Sequence, residues 1–596
     1  TDCIESGARI SANVFASVQT ASKGISVDLS QVVLPTKLPT PRPTSLPTLY
    51  PPPNCGDYID FPPDIEEIPI DFCIDHCSKN NNQLIKVDLS ATRVKKIGER
   101  AFYGCAKLST VTFPTSLENI GIRAFEKSGI KEANLSETRV TTIETGVFFN
   151  CHDLETVIFP ALLETIGQDT FSQCANLSTV TFPASLKTIG QGAFENSAIK
   201  EANLSGTSVK NILLYAFFNC QDLQTVIFPT SLETIGLSAF AISGIKEADL
   251  LGTNVTKIDF EAFFNCHDLK TVTFPTTLET IGERAFLGTA IKEADLSRTN
   301  VKQIGYQAFY QCANLENVTF PTSLQTIGYG AFQYSGIREA DLSRTNVKEI
   351  GFRFFSQCAN LSTVTFPASL ETIGEGAFAL SGIKEADLSG TNVMKIDNDA
   401  FYICRDLETV TFPKSLETIG KGAFYNTAIE EADLSGTNVT EIGNYSFYEC
   451  DDLKTVMFPE TYIFRMENLI FKKETIEEFI FACEYDADNY DNIIGALCPH
   501  IKEKVCIKAG GNFYSALLSS QSCNFPDKCL DNTTCISAQP RPPSDDEDSN
   551  EDDETLIYIL VGSIGGGILL ISGVYYYFRS NSESLPQNTR VGELVF

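Results

Sequence analysis

Apolar positions in the centre of the chain follow two patterns that mostly alternate and share one period. The first is C-x-x-L-x-x-V-x-F-P-x-x-L-x-x-I-G, as in residues 105–121; the second is S-G-I-K-E-A-x-L-S-x-T-x-V-x-x-I, as in residues 128–143. In the first, Val111 and Phe113 face one way and Thr110 and Thr112 the other, the alternation of a short half-buried strand. Pro114 has no N–H for a ladder and ends that strand. Leu117, Ile120 and Phe125 carry the chain back across a core. Phe recurs at 102, 125, 148, 171, 194, 217, 240, 263, 286, 309, 332, 355, 378, 401, 424 and 447, always 23 residues apart, with no insertion or deletion. A four-stranded propeller blade needs about 40 residues, so this period predicts one coil of a solenoid. One coil cannot bury its apolar face alone; stacked coils can.

The alternation breaks once, where Cys151 and Cys174 stand one period apart rather than two. Ile476, Phe479 and Phe481 repeat Leu453, Val456 and Phe458 after one further period, and residues 61–72 resemble a degraded copy of 113–125. Both read as the capping coils that a solenoid needs to cover its end layers.

The pattern L-x-x-V-x-F-P-x-x-L-x-x-I-G-x-x-A-F-x-x-C resembles the BspA-like (Treponema-type) leucine-rich repeat across about residues 79–481. It lacks the Asn that usually follows the strand in leucine-rich repeats. The resemblance implies a leucine-rich repeat solenoid of 23-residue coils, with a parallel β-sheet on one face and short helical or irregular segments on the other. It also implies a surface protein like those of oral bacteria and mucosal protozoa such as trichomonads, adhering to host cells, matrix proteins or other microbes.

The flanks divide the chain further. Residues 1–34 are unassigned. Residues 35–53 hold eight Pro and read as an extended spacer. An N-terminal cap at 54–78 leads into the solenoid, 79–481. A Cys-rich cap or stem (482–540) and an acidic linker (541–555) follow. The uncharged apolar run 556–578 is long enough for a transmembrane helix, with a cytoplasmic tail at 579–596. Arg579 after the run and acidic residues before it place the N-terminal region outside, as in a single-pass type I plasma-membrane protein. The chain opens on Thr1 with no signal peptide, as expected if a leader has been removed or the precursor begins earlier.

The formal net charge is −31, from 45 Lys+Arg against 76 Asp+Glu, which argues against nucleic-acid binding. Only 4 His and no Trp are present, and no G-x-S-x-G, P-loop or H-E-x-x-H motif occurs. No catalytic residue, metal ligand or cofactor is assigned, and the chain reads as a binding protein rather than an enzyme.

Outward strand positions supply the candidate binding face. Cys-type coils present Thr110/Thr112, Thr179/Thr181, Thr271/Thr273, Thr363/Thr365 and Thr409/Thr411. The other coils present Glu132/Asn134, Glu201/Asn203, Glu247/Asp249, Glu293/Asp295, Glu339/Asp341, Glu385/Asp387 and Glu431/Asp433. Strands lie about 4.8 Å apart, so acidic rows are expected about every 10 Å with Thr rows between. Interleaved Thr avoids like charges on neighbouring strands, and Lys131, Lys200, Lys246, Lys292, Arg338 and Lys384 partly offset the Glu residues beside them. The expected partners are protein or glycan ligands on host cells, matrix or other microbes. The rival reading is a structural coat or appendage component that assembles laterally through its solenoids.

Cys55, Cys73 and Cys77 in the cap, and Cys483, Cys498, Cys506, Cys523, Cys529 and Cys535 in the stem, are candidate disulfide cysteines. With His76, the cap cysteines could also suggest a zinc site, but an exported cap favours disulfides. The nine repeat cysteines, starting at Cys105, read as buried small hydrophobes, most of them too far apart to bond; Cys151 and Cys174 are close enough. Asn254, Asn438, Asn444 and Asn532 are candidate glycan acceptors, while glycans on the Asn134 or Asn203 sequons would sit on the proposed face.

Overall fold

A computed structural model describes residues 56–77, 83–459 and the short stretches 465–466, 470–471, 476, 478–480, 506–508 and 530–531. The calls on segments 1–34, 35–53, 541–555, 556–578 and 579–596, and on Cys55, Asn532 and the stem cysteine side chains, lie outside these residues. Among the described residues no helix is long and apolar enough to cross a membrane.

The chain winds as a parallel β-solenoid. Three-residue strands such as Thr110–Thr112, Glu132–Asn134 and Thr156–Ile158 pair in parallel with the strands of neighbouring coils. They line one side of the solenoid, here called the first sheet, from Tyr58–Asp60 to Glu478–Ile480 and on through Cys506–Lys508 to Leu530–Asp531, with the ladder interrupted after Thr179–Thr181, Thr271–Thr273 and Thr409–Thr411. A second parallel sheet was not expected. Its two-residue strands, from Glu67–Ile68 to Arg465–Met466 with one interruption between Thr326–Ile327 and Glu349–Ile350, carry the Ile of each Ile-Gly step, with Ile166 opposite Ile143 and Ile189. Gly follows this Ile in many coils because the chain there presses on the coil before it. A Cβ on Gly282 would meet the Asp259 carbonyl carbon at 2.6 Å.

The expected short helical segments are absent: among the described residues the only helix is one π turn at Cys73–Cys77. A helix needs its N–H groups to bond carbonyls within its own segment. Here every second one bonds the next coil instead, while those between close turns within their own coil. Arg123, Phe125 and Lys127 donate to the carbonyls of Thr145, Val147 and Phe149 at 3.0, 2.8 and 2.9 Å. Two left-handed residues per coil, such as Arg123 (φ 56) and Lys127 (φ 58), aim these groups along the solenoid. The result is a third side built of turns.

Between the three sides the sixteen periodic Phe rings form one stacked column. Phe194, Phe217 and Phe240 are fully buried, with centroids 5.3 Å apart and rings tilted by 4° and 1°. Phe274 and its repeat mates meet the column edge-on, at 88° to Phe286. Full burial of one such ring contributes about 1.5–3 kcal/mol.

Eight repeat cysteines, from Cys151 to Cys450, are free and buried. Cys151 and Cys174 do not bond each other; their thiols donate to the carbonyls of Phe125 (2.9 Å) and Phe148 (3.2 Å). Cys105 corrects the reading of the repeat cysteines as uniformly unpaired, since it is bonded to Cys73 with Cα atoms 6.4 Å apart. The cap turn folds over the first full coil, where the Cys73 N–H donates to the Ala101 carbonyl at 2.7 Å, and this brings the two thiols together. Cys77 is also disulfide-bonded.

Candidate functional site

The first sheet places the Thr and Glu/Asp positions as their alternation requires. Strands such as Glu132–Asn134, Glu293–Asp295 and Thr363–Thr365 expose both ends and bury the middle residue. The same holds at Thr110–Thr112, Glu201–Asn203, Glu247–Asp249, Glu339–Asp341, Glu385–Asp387, Thr409–Thr411 and Glu431–Asp433. Thr179–Thr181 buries Val180 less completely, and Thr273 is half-buried.

Register sets the spacing of charge. Glu132 lies between Thr110 and Thr156, and Glu247 between Thr225 and Thr271. In these pairings no Glu faces another Glu, so the repulsion of adjacent like charges is avoided.

The two acidic positions of a strand differ in role. The second one holds the following turn. Asp295, Asp341, Asp387 and Asp433 accept the backbone N–H two residues on at 2.9–3.0 Å, and Asn134 and Asn203 do the same at 3.2 and 3.1 Å. Asp249 accepts from Leu251 N–H and also from the Thr273 hydroxyl on the neighbouring strand. Hydrogen bonds from Ser297 and Ser343 hold the Asp295 and Asp341 carboxyls below the usual range. The Glu position has no such duty and is the freer carboxylate. Flanking cations reach back one coil: Arg338 pairs with Glu316 at 3.2 Å, and Lys246 donates to Gln224 at 2.9 Å. Arg338 thus neutralises a carboxylate outside the Glu row.

Of the glycan acceptors, Asn254 is exposed and its amide donates to the Thr230 carbonyl at 3.1 Å, while Asn438 and Asn444 are half-buried. Among the described residues no group of His, Cys, Asp and Glu is arranged to hold a metal ion. The repeat pattern did not flag the third side, where Tyr329, Tyr334 and Phe352 stand exposed. A signal was available, since the residue after Ile-Gly changes from Glu283 to Tyr306, Tyr329 and Phe352 in successive coils.

Several solved structures share similarity with this chain. A leucine-rich repeat protein from Bacteroides ovatus is 27% identical, with 61% of this chain and 82% of that one covered and a TM-score of 0.47. A leucine-rich cell surface protein from Faecalibacterium prausnitzii is 19% identical over 71% and 86%, with a TM-score of 0.25. The Treponema pallidum leucine-rich repeat protein is 24% identical over 39% and 76%, with a TM-score of 0.19. No curated protein matches the chain. The profile of the BspA type leucine rich repeat region matches residues 74–200, 187–300, 294–392 and 388–489. Repeat proteins of this kind are generally binding scaffolds found at surfaces. The stacked coils and these matches, which together cover well over half of the sequence, make the chain a member of the BspA-type leucine-rich repeat family.

Proposed function

We propose that this protein is a cell-surface adhesin or receptor that captures a basic or polyvalent partner along the outward face of its first sheet. The observation that carries the proposal is the register: exposed Glu rows recur mostly every second strand, separated by uncharged Thr or Asn positions. A rigid ladder of carboxylates about 10 Å apart can engage repeated cationic groups at once, and such multivalent contact raises avidity without any single strong site. The apolar run 556–578 would anchor the chain as a single-pass type I protein, holding the solenoid outside the cell. Partners of this kind include proteins and glycans of host cells, matrix or other microbes. No chemical step is involved.

The purified full chain is expected to bind host or microbial cells saturably, with affinity falling as salt rises. Combining Glu247→Lys, Glu293→Lys, Glu339→Lys and Glu385→Lys should abolish that binding without unfolding the solenoid. Binding that survives all four reversals places the site elsewhere. Clustering of the pure chain with no added partner indicates the lateral coat assembly instead.

A further inference from the structure

The third side carries an aromatic cluster in the coils spanning 305–357. Tyr329, Tyr334 and Phe352 are 41%, 39% and 37% exposed. Tyr310 meets Tyr334 edge-on at 5.4 Å, and Tyr329 meets Phe352 at 6.1 Å. The Arg353 guanidinium lies 4.8 Å from the centre of the Phe352 ring. The two ring pairs share one coil, because Tyr329 and Tyr334 stand five residues apart on either side of Gly330 and Gln333. Gln357 donates to the Tyr334 hydroxyl at 2.8 Å and fixes that ring.

A polar group sits in the same coil. Gln333, next to Tyr334 in the chain, is only 7% exposed. Its Oε1 would lie 3.2 Å from a Cβ at Gly330, a left-handed glycine (φ 59) where the coils on either side carry Gln307 and Arg353.

We infer that this cluster is a saccharide site that stacks the C–H face of a pyranose ring on Tyr329 and Tyr334. The Gln333 amide offers a donor and an acceptor to the sugar hydroxyls. The Arg353 guanidinium, placed over the Phe352 ring, adds N–H donors suited to hydroxyls or a single carboxylate. A purely apolar ligand would leave both groups unmet. A polyanionic chain would be repelled by a protein of net charge −31, whereas a neutral or singly acidic sugar is not. The site lies on a different side from the acidic face, so it extends the proposed function without depending on it.

The test is calorimetric titration of the full chain with maltotriose, chitotriose, N-acetyllactosamine and sialyllactose. At least one sugar should bind saturably. Tyr334→Ala and Gln333→Leu should each weaken it about tenfold or more. Tyr334→Phe, which keeps the ring, should retain binding and shows that the position tolerates change. Tyr215→Ala, in the Tyr215–Phe218 aromatic pair of other coils, should have no effect. Absence of binding by every sugar up to its solubility limit overturns the proposal. So does binding that survives both Tyr334→Ala and Gln333→Leu in variants that melt like the parent. Concentration-dependent self-association that Tyr334→Ala removes would assign the patch to a second copy and overturn it as well.

Discussion

The two sheets share a core and a parallel register, yet they meet solvent with different chemistry. On the first, the acidic strands present a Glu and an Asp or Asn each, and the nearby cations turn to the previous coil. Beside the second, cations and carboxylates close on each other from coil to coil. Lys187 meets Glu164 at 2.7 Å, Lys210 meets Glu233 at 2.8 Å, Lys302 meets Glu279 at 3.1 Å and Lys348 meets Glu371 at 2.8 Å. A ladder thus fixes where side chains stand, and the outward residues alone decide whether a face is electrically quiet or carries an unbalanced field. The unbalanced face is the one we propose for recognition.

The sharpest way to break this comparison is to break the frame beneath both sheets. Phe217→Ala opens a cavity in the ring column and should lower unfolding free energy by about 3–5 kcal/mol in denaturant titration. Next comes Gly282→Ala, beside the second sheet, where the new methyl meets backbone of the preceding coil. We expect a loss of about 1–3 kcal/mol by the same measurement. Gly252→Ala, in a turn after the first sheet, meets open space and should cost only about 1 kcal/mol, for its left-handed backbone (φ 75). If the two glycine variants are equal, the tight inter-coil approach belongs to both sheets.

Alkaline pH probes the frame without mutation. Burial pushes the Cys220 and Cys312 thiols up to about 12 and Cys266 to about 11 from an ordinary 9.0. The folded pKa is the higher one, so the stabilisation is complete below pH 9 and is lost as pH rises toward 12. Melting temperatures should fall steadily over that window and fall less steeply in a Cys220→Ala, Cys312→Ala double variant. The smallest effects belong to single surface charges. Removing Lys210 from its exposed pair with Glu233 should change stability by about 0–1 kcal/mol. Asp341→Asn should preserve the turn at Ser343, because Asn134 caps the same turn in its own coil, while deleting one charge of the first face. Partner binding that responds to Asp341→Asn but not to Lys210→Ala would confirm that the two faces differ in use.

Much of the frame was legible in the residues. A 23-residue Phe period without a slip leaves a stacked solenoid as the simple solution, and Thr-Val-Thr beside Glu-Ala-Asp fixes which side chains look outward. The second sheet was not legible, because two residues per strand leave no alternation to read. The third side could be read only as helical or irregular, because every second N–H finds its partner one coil away, which local sequence does not encode. The Cys73–Cys105 bond lies outside the period, with 32 residues between its ends, so it could not be inferred by analogy with the other repeat cysteines.

That bond has a mechanical consequence. In a stack where each layer grips only its neighbours, tension on a terminus peels layers off one at a time, beginning with the outermost. The link from Cys73 to Cys105 diverts a pull on the amino-terminal side past the cap and into the next winding. The cap strands before Cys73 can still peel, but the winding between Cys73 and Cys105 is bypassed by the pull until a reductant cuts that covalent tie.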